Sequence, residues 1–119
     1  MKKFTLMAAL IFSAASANAE GDPAKGERVF KKCAACHSAD PDQKKTGPHL
    51  NGILGRNAGA IEGFKYSKRM SEADLVWNEE NLRQFLASPK TFIPKTKMSF
   101  PGIKNEDDLG DLIAYLAGL

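Results

Sequence analysis

The most regular hydrophobic pattern lies towards the C-terminal end, where Leu109, Leu112, Ile113 and Leu116 recur at i, i+3, i+4 and i+7 with Tyr115 on the flank. That spacing lines one face of an α-helix. Asn105 stands before it as an N-cap, and Glu106, Asp107 and Asp108 fill the first turn, where carboxylates meet the positive end of the helix dipole. Leu82, Phe85 and Leu86 repeat the spacing behind a similar start, Asn78-Glu79-Glu80, and Ser88-Pro89 stops the run. A third helix opens at Asp22-Pro23, with aspartate at the N-cap and proline at the first helical position. Ala24, Val29 and Phe30 are its apolar residues, and Gly26 shares a face with Phe30 four positions on. Glycine inside a helix costs about 1 kcal/mol relative to alanine. Its presence there predicts a close neighbour.

From Ser38 to Lys65 no period runs through the chain; the text is turn chemistry, as in Asp40-Pro41, Thr46-Gly47-Pro48, Asn51-Gly52 and Asn57-Ala58-Gly59. A short helical turn is predicted around Ser67 to Ala73. So long a structureless stretch is unusual inside a compact domain, unless the loops wrap a rigid body that serves as their core. No strand alternation, internal repeat or low-complexity tract is present. The expected class is all-α, with three main helices and long loops.

The first residues change the picture of length and charge. Lys2 and Lys3, an apolar stretch from Phe4 to Phe12 and Ala17-Asn18-Ala19 form the three parts of a secretory signal peptide, cleaved after Ala19. The apolar run is shorter than the roughly 20 residues a membrane span needs, so no stable membrane insertion is expected. Removing 19 of the 119 residues leaves 100, one domain covering residues 20–119. A chain of that size has a modest core and gains from a staple. Of 17 basic and 14 acidic residues, Lys2 and Lys3 leave with the signal, so 15 basic residues face 14 acidic ones. That balance, with no basic block interleaved with aromatics, does not suggest nucleic acid.

The chemistry is concentrated in Cys33-Ala34-Ala35-Cys36-His37. C-x-x-C-H is the attachment pattern of a c-type haem. Two thiols three residues apart on one helical turn can reach two vinyl groups of a single porphyrin, and the histidine that follows can bind its iron from the proximal side. One copy predicts one haem. Three other uses of the pair fit less well. A disulfide closing so tight a loop adds little stability. A thioredoxin-like redox pair calls for a preceding βαβ pattern. Zinc requires more ligands than His49 alone could add.

An electron carrier needs both axial positions of its iron filled. Beyond His37 the candidates are His49, Met70 and Met98. His49 lies in the Gly/Pro loop and reads as a peripheral loop histidine, and Met70 in the middle turn reads as a packing methionine. Met98 sits in an extended polar loop, Pro94-Lys95-Thr96-Lys97 before it and Ser99-Phe100-Pro101-Gly102 after, with no helical stripe to absorb it. A thioether placed there has a reason if it binds iron.

With Cys33 to His37, Thr46-Gly47-Pro48 with Leu50, and Trp77 through Phe100, nearly the whole chain after residue 19 resembles the class I c-type cytochromes, close to mitochondrial cytochrome c and bacterial cytochrome c2. The resemblance implies a cytochrome c fold, with N- and C-terminal helices crossing and loops wrapped around one haem c held through Cys33 and Cys36. It implies Met98 as the distal ligand opposite His37, and the Pro48 carbonyl as acceptor of the proximal histidine's N–H. Gly26 and Phe30 match residues that cross the last helix near Leu112 and Tyr115. Arg56, Tyr66 and Trp77 match residues around the inner haem propionate, and Thr96 and Phe100 match neighbours of the methionine and the haem edge. Three positions depart from the pattern: Lys95 replaces a glycine before Thr-Lys-Met, Phe85 replaces a tyrosine, and Met70 replaces an asparagine.

The function this implies is that of a soluble, monomeric periplasmic carrier and not an enzyme, passing single electrons along a respiratory or photosynthetic chain. Its partners would be redox proteins such as a cytochrome bc1-type donor and an oxidase or reaction-centre acceptor. Lys31, Lys32, Lys44, Lys45, Lys90, Lys95 and Lys97 are expected around the haem edge, and the acidic residues of the later helices away from it, a dipole that would steer docking. The alternative is a haem peroxidase or small-ligand-binding haem protein, which requires an open iron and distal acid–base groups.

Overall fold

The computed structural model describes residues 21–119; the expected signal peptide and its cleavage site lie outside the described residues. Asp22 caps the first helix, α1 (Pro23–Phe30), its carboxylate accepting from the Ala24 N–H. Ser67 caps the short α2 (Lys68–Glu72) by accepting from Met70. Asn78 caps α3 (Glu79–Ala87) by accepting from Asn81, and Asn105 caps α5 (Glu106–Ala117) by accepting from Asp108. Each of these starts follows from a short polar side chain at the N-cap, and in α1, α3 and α5 it stands before an apolar face.

One helix was not expected. Ser88-Pro89 does end α3, but Pro89 also begins α4 (Pro89–Phe92). Proline has no N–H to offer α3 and a φ already suited to the first turn of a new helix, so one residue does both jobs. The turn that follows carries the chain towards Met98.

The core is built where α1 and α5 cross. Leu112 is fully buried, with Val29, Phe30, Leu109, Ile113 and Leu116 around it. The Phe30 and Tyr115 rings meet at 5.2 Å between centroids. Gly26 now has its neighbour: a Cβ there would run into the Asp111 carbonyl and come within 2.8 Å of Tyr115 Cβ. The same aspartate binds the start of α1, its Oδ1 accepting from the Asp22 N–H at 2.8 Å. The first and last helices are thus held together by apolar contact, by a missing side chain and by one cap-like hydrogen bond.

Ser38 to Lys65 carries no helix among the described residues. Its order comes from turns and from a single antiparallel bridge between Asn57 and Val76. Around that bridge Trp77 N–H donates to the Arg56 carbonyl at 2.8 Å, and Ala58 N–H donates to the Leu75 carbonyl at 2.9 Å. These bonds bring Arg56 and Trp77 side by side although 21 residues separate them in sequence.

Gly26→Ala is expected to destabilise the holoprotein by about 1–3 kcal/mol, the usual cost of forcing extra volume into a close-packed contact, despite alanine's better helix propensity. Guanidinium unfolding followed at the haem absorption checks it; an unchanged midpoint would mean the crossing tolerates a side chain.

Candidate haem-binding site

Cys33 to His37 follows α1 after Lys31 and Lys32 and is wound by local hydrogen bonds. Cys36 N–H and His37 N–H both donate to the Cys33 carbonyl, at 3.1 and 2.9 Å. This single turn brings both sulfurs and the imidazole to one cavity of about 640 Å3, within the range of about 300–1,000 Å3 typical of ligand and cofactor sites. Leu50, Ile53, Leu82, Leu86, Leu112 and Leu116 supply apolar lining from the loops and from α3 and α5.

The thiols are free, and burial pushes the Cys33 thiol up to about 11, with Lys32 opposing and Cys36 adding to the rise. A redox pair of the thioredoxin kind needs the opposite, a lowered thiol pKa.

His37 Nδ1 lies 2.7 Å from the Pro48 carbonyl. A carbonyl only accepts, so Nδ1 carries the proton and Nε2 keeps its lone pair for a metal. Burial holds the imidazole below its ordinary pKa; the Pro48 bond works against this and the Arg56 charge with it. The neutral, ligating form is therefore the favoured one. Gly47 completes the bracket. Its N–H donates to the Cys36 carbonyl at 2.7 Å, and a Cβ on it would lie 2.5 Å from His37 Cε1.

Met98 is half-buried and lines the same cavity. Its loop is turned by Ile93-Pro94-Lys95-Thr96, closed by the Thr96 N–H on the Ile93 carbonyl at 3.1 Å. Proline second and a positive φ third is the type II pattern. The third residue is Lys95, with φ 61°: the departure from glycine keeps the turn and holds a lysine in a left-handed conformation. Thr96 Oγ1 accepts from the Met98 N–H at 3.3 Å, and Lys97 Nζ donates to the Lys65 carbonyl at 3.1 Å.

Arg56, Tyr66 and Trp77 also line the cavity, as do Thr96 and Phe100. Arg56 reaches it while spanning a loop: Nη1 donates to the His49 carbonyl at 2.7 Å and Nη2 to the Asn51 carbonyl at 2.5 Å. Burial lowers its pKa and the Tyr66 phenol opposes the change, but an arginine stays charged. Tyr66 accepts from the Ile61 N–H at 3.0 Å, which leaves its own O–H free to donate. Trp77 is buried against Phe85, 5.0 Å between centroids, with Phe92 behind at 6.4 Å.

The ten residues that the family resemblance assigned to the haem site thus line one cavity. His49 does not; it is half-buried with Nδ1 3.4 Å from Arg56 Nη2. Met70 both packs against the core and lines the cavity. Sequence reasoning missed Ser67, Phe64 and Asn57 as lining residues, and gave Gly47 no part. Only the Thr-Gly-Pro triplet could have pointed to that glycine. Two thiols, an imidazole with one free nitrogen, a thioether and apolar walls suit a covalently attached haem, so the donor set fits the group the attachment pattern implies.

A helical domain folded around such a cavity is a class I c-type cytochrome. The sequence model of the family described as Cytochrome c matches residues 23–119, and the chain belongs to that family, whose members bind one covalent haem c and carry electrons. It is 45% identical to a cytochrome c2 of Rhodomicrobium vannielii over 97% of this chain and 93% of the relative. It is 50% identical to a cytochrome c2 of Agrobacterium tumefaciens over 82% of this chain and 91% of that one. The solved structure of cytochrome cH from Methylobacterium extorquens superposes with a TM-score of 0.78 at 40% identity, covering 83% of this chain and all of that one.

Lys95→Gly is expected to stabilise the protein by about 1 kcal/mol or somewhat less: a left-handed non-glycine residue costs about 1–2 kcal/mol, and glycine's freer unfolded chain returns part of it. A higher denaturation midpoint at unchanged slope checks this.

Proposed function

We propose that the protein is an exported, periplasmic carrier of single electrons, in which His37 and Met98 would ligate the haem iron and Cys33 and Cys36 would attach the porphyrin as thioethers. The observation that carries the reading is the His37 imidazole: fixed at Nδ1 by the Pro48 carbonyl, it keeps its other nitrogen available in the cavity that Met98 also lines. Bound haem supplies an iron that gains and loses one electron.

The chain's own residues do the rest. The Pro48 carbonyl holds the tautomer and makes the imidazole a better donor. Met98 would contribute a sulfur ligand, which would raise the reduction potential relative to harder donors. Leucine and isoleucine side chains exclude water, so the less charged, reduced state is favoured. Arg56 places a positive charge beside the cavity, and Arg56, Tyr66 and Trp77 offer donors to a propionate, whose burial would otherwise be costly. Phe85 and Met70, both lining the cavity, leave its interior less polar than a tyrosine and an asparagine would.

Residues 1–19 act as the signal peptide and residues 20–119 as the haem domain, which works as a monomer. No helix among the described residues is long and apolar enough to cross a membrane. Lys32, Lys65 and Lys97 border the cavity, and Lys31, Lys44, Lys45, Lys90 and Lys95 are exposed. This set would dock against acidic surfaces on a bc1-type donor and on an oxidase or reaction-centre acceptor.

Met98→Ala is expected to lose the sulfur-to-iron absorption of the oxidised protein, to bind external ligands readily and to fall in reduction potential; a redox titration with spectra of both states checks all three. An unaltered spectrum would exclude Met98 as ligand. The rate of electron transfer to a membrane oxidase is expected to fall as salt rises through the physiological range, where the Debye length is about 8 Å. A salt-independent rate would remove the lysine docking surface.

A further inference from the structure

The proximal side of the cavity contains a contact that neither the cysteine attachment nor the Pro48 bond accounts for. Gly47 lies with its Cα against the edge of the His37 ring. A Cβ there would stand 2.5 Å from Cε1, 2.8 Å from Nδ1 and 3.1 Å from the Cys36 carbonyl. Real side chains do not approach so closely, so something would have to move. The Cys36 carbonyl is tied to Gly47 itself through the 2.7 Å N–H bond, and Cys36 lies in the turn closed by two bonds to Cys33. The ring is the part able to give.

Gly47 does not adopt a positive φ, unlike Gly52, Gly55, Gly59, Gly63 and Gly102. A left-handed backbone is therefore not what calls for glycine here. What requires it is the imidazole.

We infer that Gly47 is a positioning residue for electron transfer: by presenting no side chain, it lets the Pro48 carbonyl close on Nδ1 and sets the tilt and rotation of the proximal imidazole. The inference rests on His37 being that ligand. Backbone from two consecutive residues, Gly47 and Pro48, meets the Nδ1–Cε1 edge of the ring and defines a slot. A methyl group at Gly47 pushes the ring out of that slot and lengthens the bond to Pro48. An imidazole that shares its Nδ1 proton less strongly donates less to a metal at Nε2, so the oxidised state loses more than the reduced state and the potential rises.

Proton NMR of the reduced wild-type holoprotein gives the first test. The His37 ring protons are expected to show the large displacement that a porphyrin ring current imposes on an axial ligand, and the Gly47 α-protons a cross-peak to the Cε1 proton. Absence of the displacement would remove His37 as ligand, and the proposed function with it. Displacement without the cross-peak would overturn the Gly47 assignment alone. This measurement stands whether or not any variant folds.

Gly47→Ala gives the second test. The g-value spread and haem-methyl shifts of the oxidised protein are expected to change, and its electron-exchange equilibrium with a mediator of known potential to move severalfold towards the reduced protein. The control is Gly63→Ala, where φ is +79° and nothing lies within 4 Å of an added Cβ. It loses stability through backbone strain without touching the ring. Its spectra and equilibrium are expected to match wild type. If Gly47→Ala leaves both readouts unchanged, or Gly63→Ala moves them equally, the positioning role is wrong.

Discussion

An apolar cavity that no part of this chain can fill by itself governs the architecture. The loop from Ser38 to Lys65 has no helix, and Pro48, Leu50, Ile53 and Phe64 from it join side chains of α3 and α5 in lining one space. A domain of this size has little hydrophobic surface to spare. Walls of leucine, isoleucine and aromatic side chains around an interior of some 640 Å3 make sense only if a large rigid group completes the core. Structure and function share that requirement: the group the loops wrap is the one that accepts the electron.

The remaining features hold those walls in place. The α1–α5 crossing fixes α1, and so the cysteine turn that follows it, relative to Leu112 and Leu116. The bridge between Asn57 and Val76 aligns Arg56 with Trp77. Arg56 in turn ties the loop through the carbonyls of His49 and Asn51, immediately after the proline that holds His37. A charge beside the cavity thus also fastens the backbone on the proximal side.

Much of this was legible in the sequence because it is local. Caps, stripes and the proline–glycine turns announced four helices and one long irregular stretch, and C-x-x-C-H announced the cofactor. Met98 could be singled out because no helix face explains it. What escaped was set by contacts between distant segments. Nothing in the text of Pro89-Lys90-Thr91-Phe92 separates a loop from the one-turn helix it forms, since proline both ends and begins helices. The role of Gly26 could be suspected from its position on an apolar face. That of Gly47 had only the Thr-Gly-Pro triplet behind it, and a glycine beside a proline reads as an ordinary turn until the imidazole is seen against it. Lys95 shows the reverse case: the departure from glycine was visible, and only the backbone reveals that the turn persists at the lysine's expense.

The aromatic cluster at the back of the cavity carries an optical consequence. The chain has a single tryptophan, and Trp77 is both buried and part of the cavity lining. A porphyrin held in that cavity would drain the excited indole before it could emit, so the folded holoprotein is expected to show almost no tryptophan emission. Any event that parts Trp77 from the haem, whether denaturant, heat or a loosened loop, restores the emission. The protein therefore reports its own integrity by fluorescence, with no label attached.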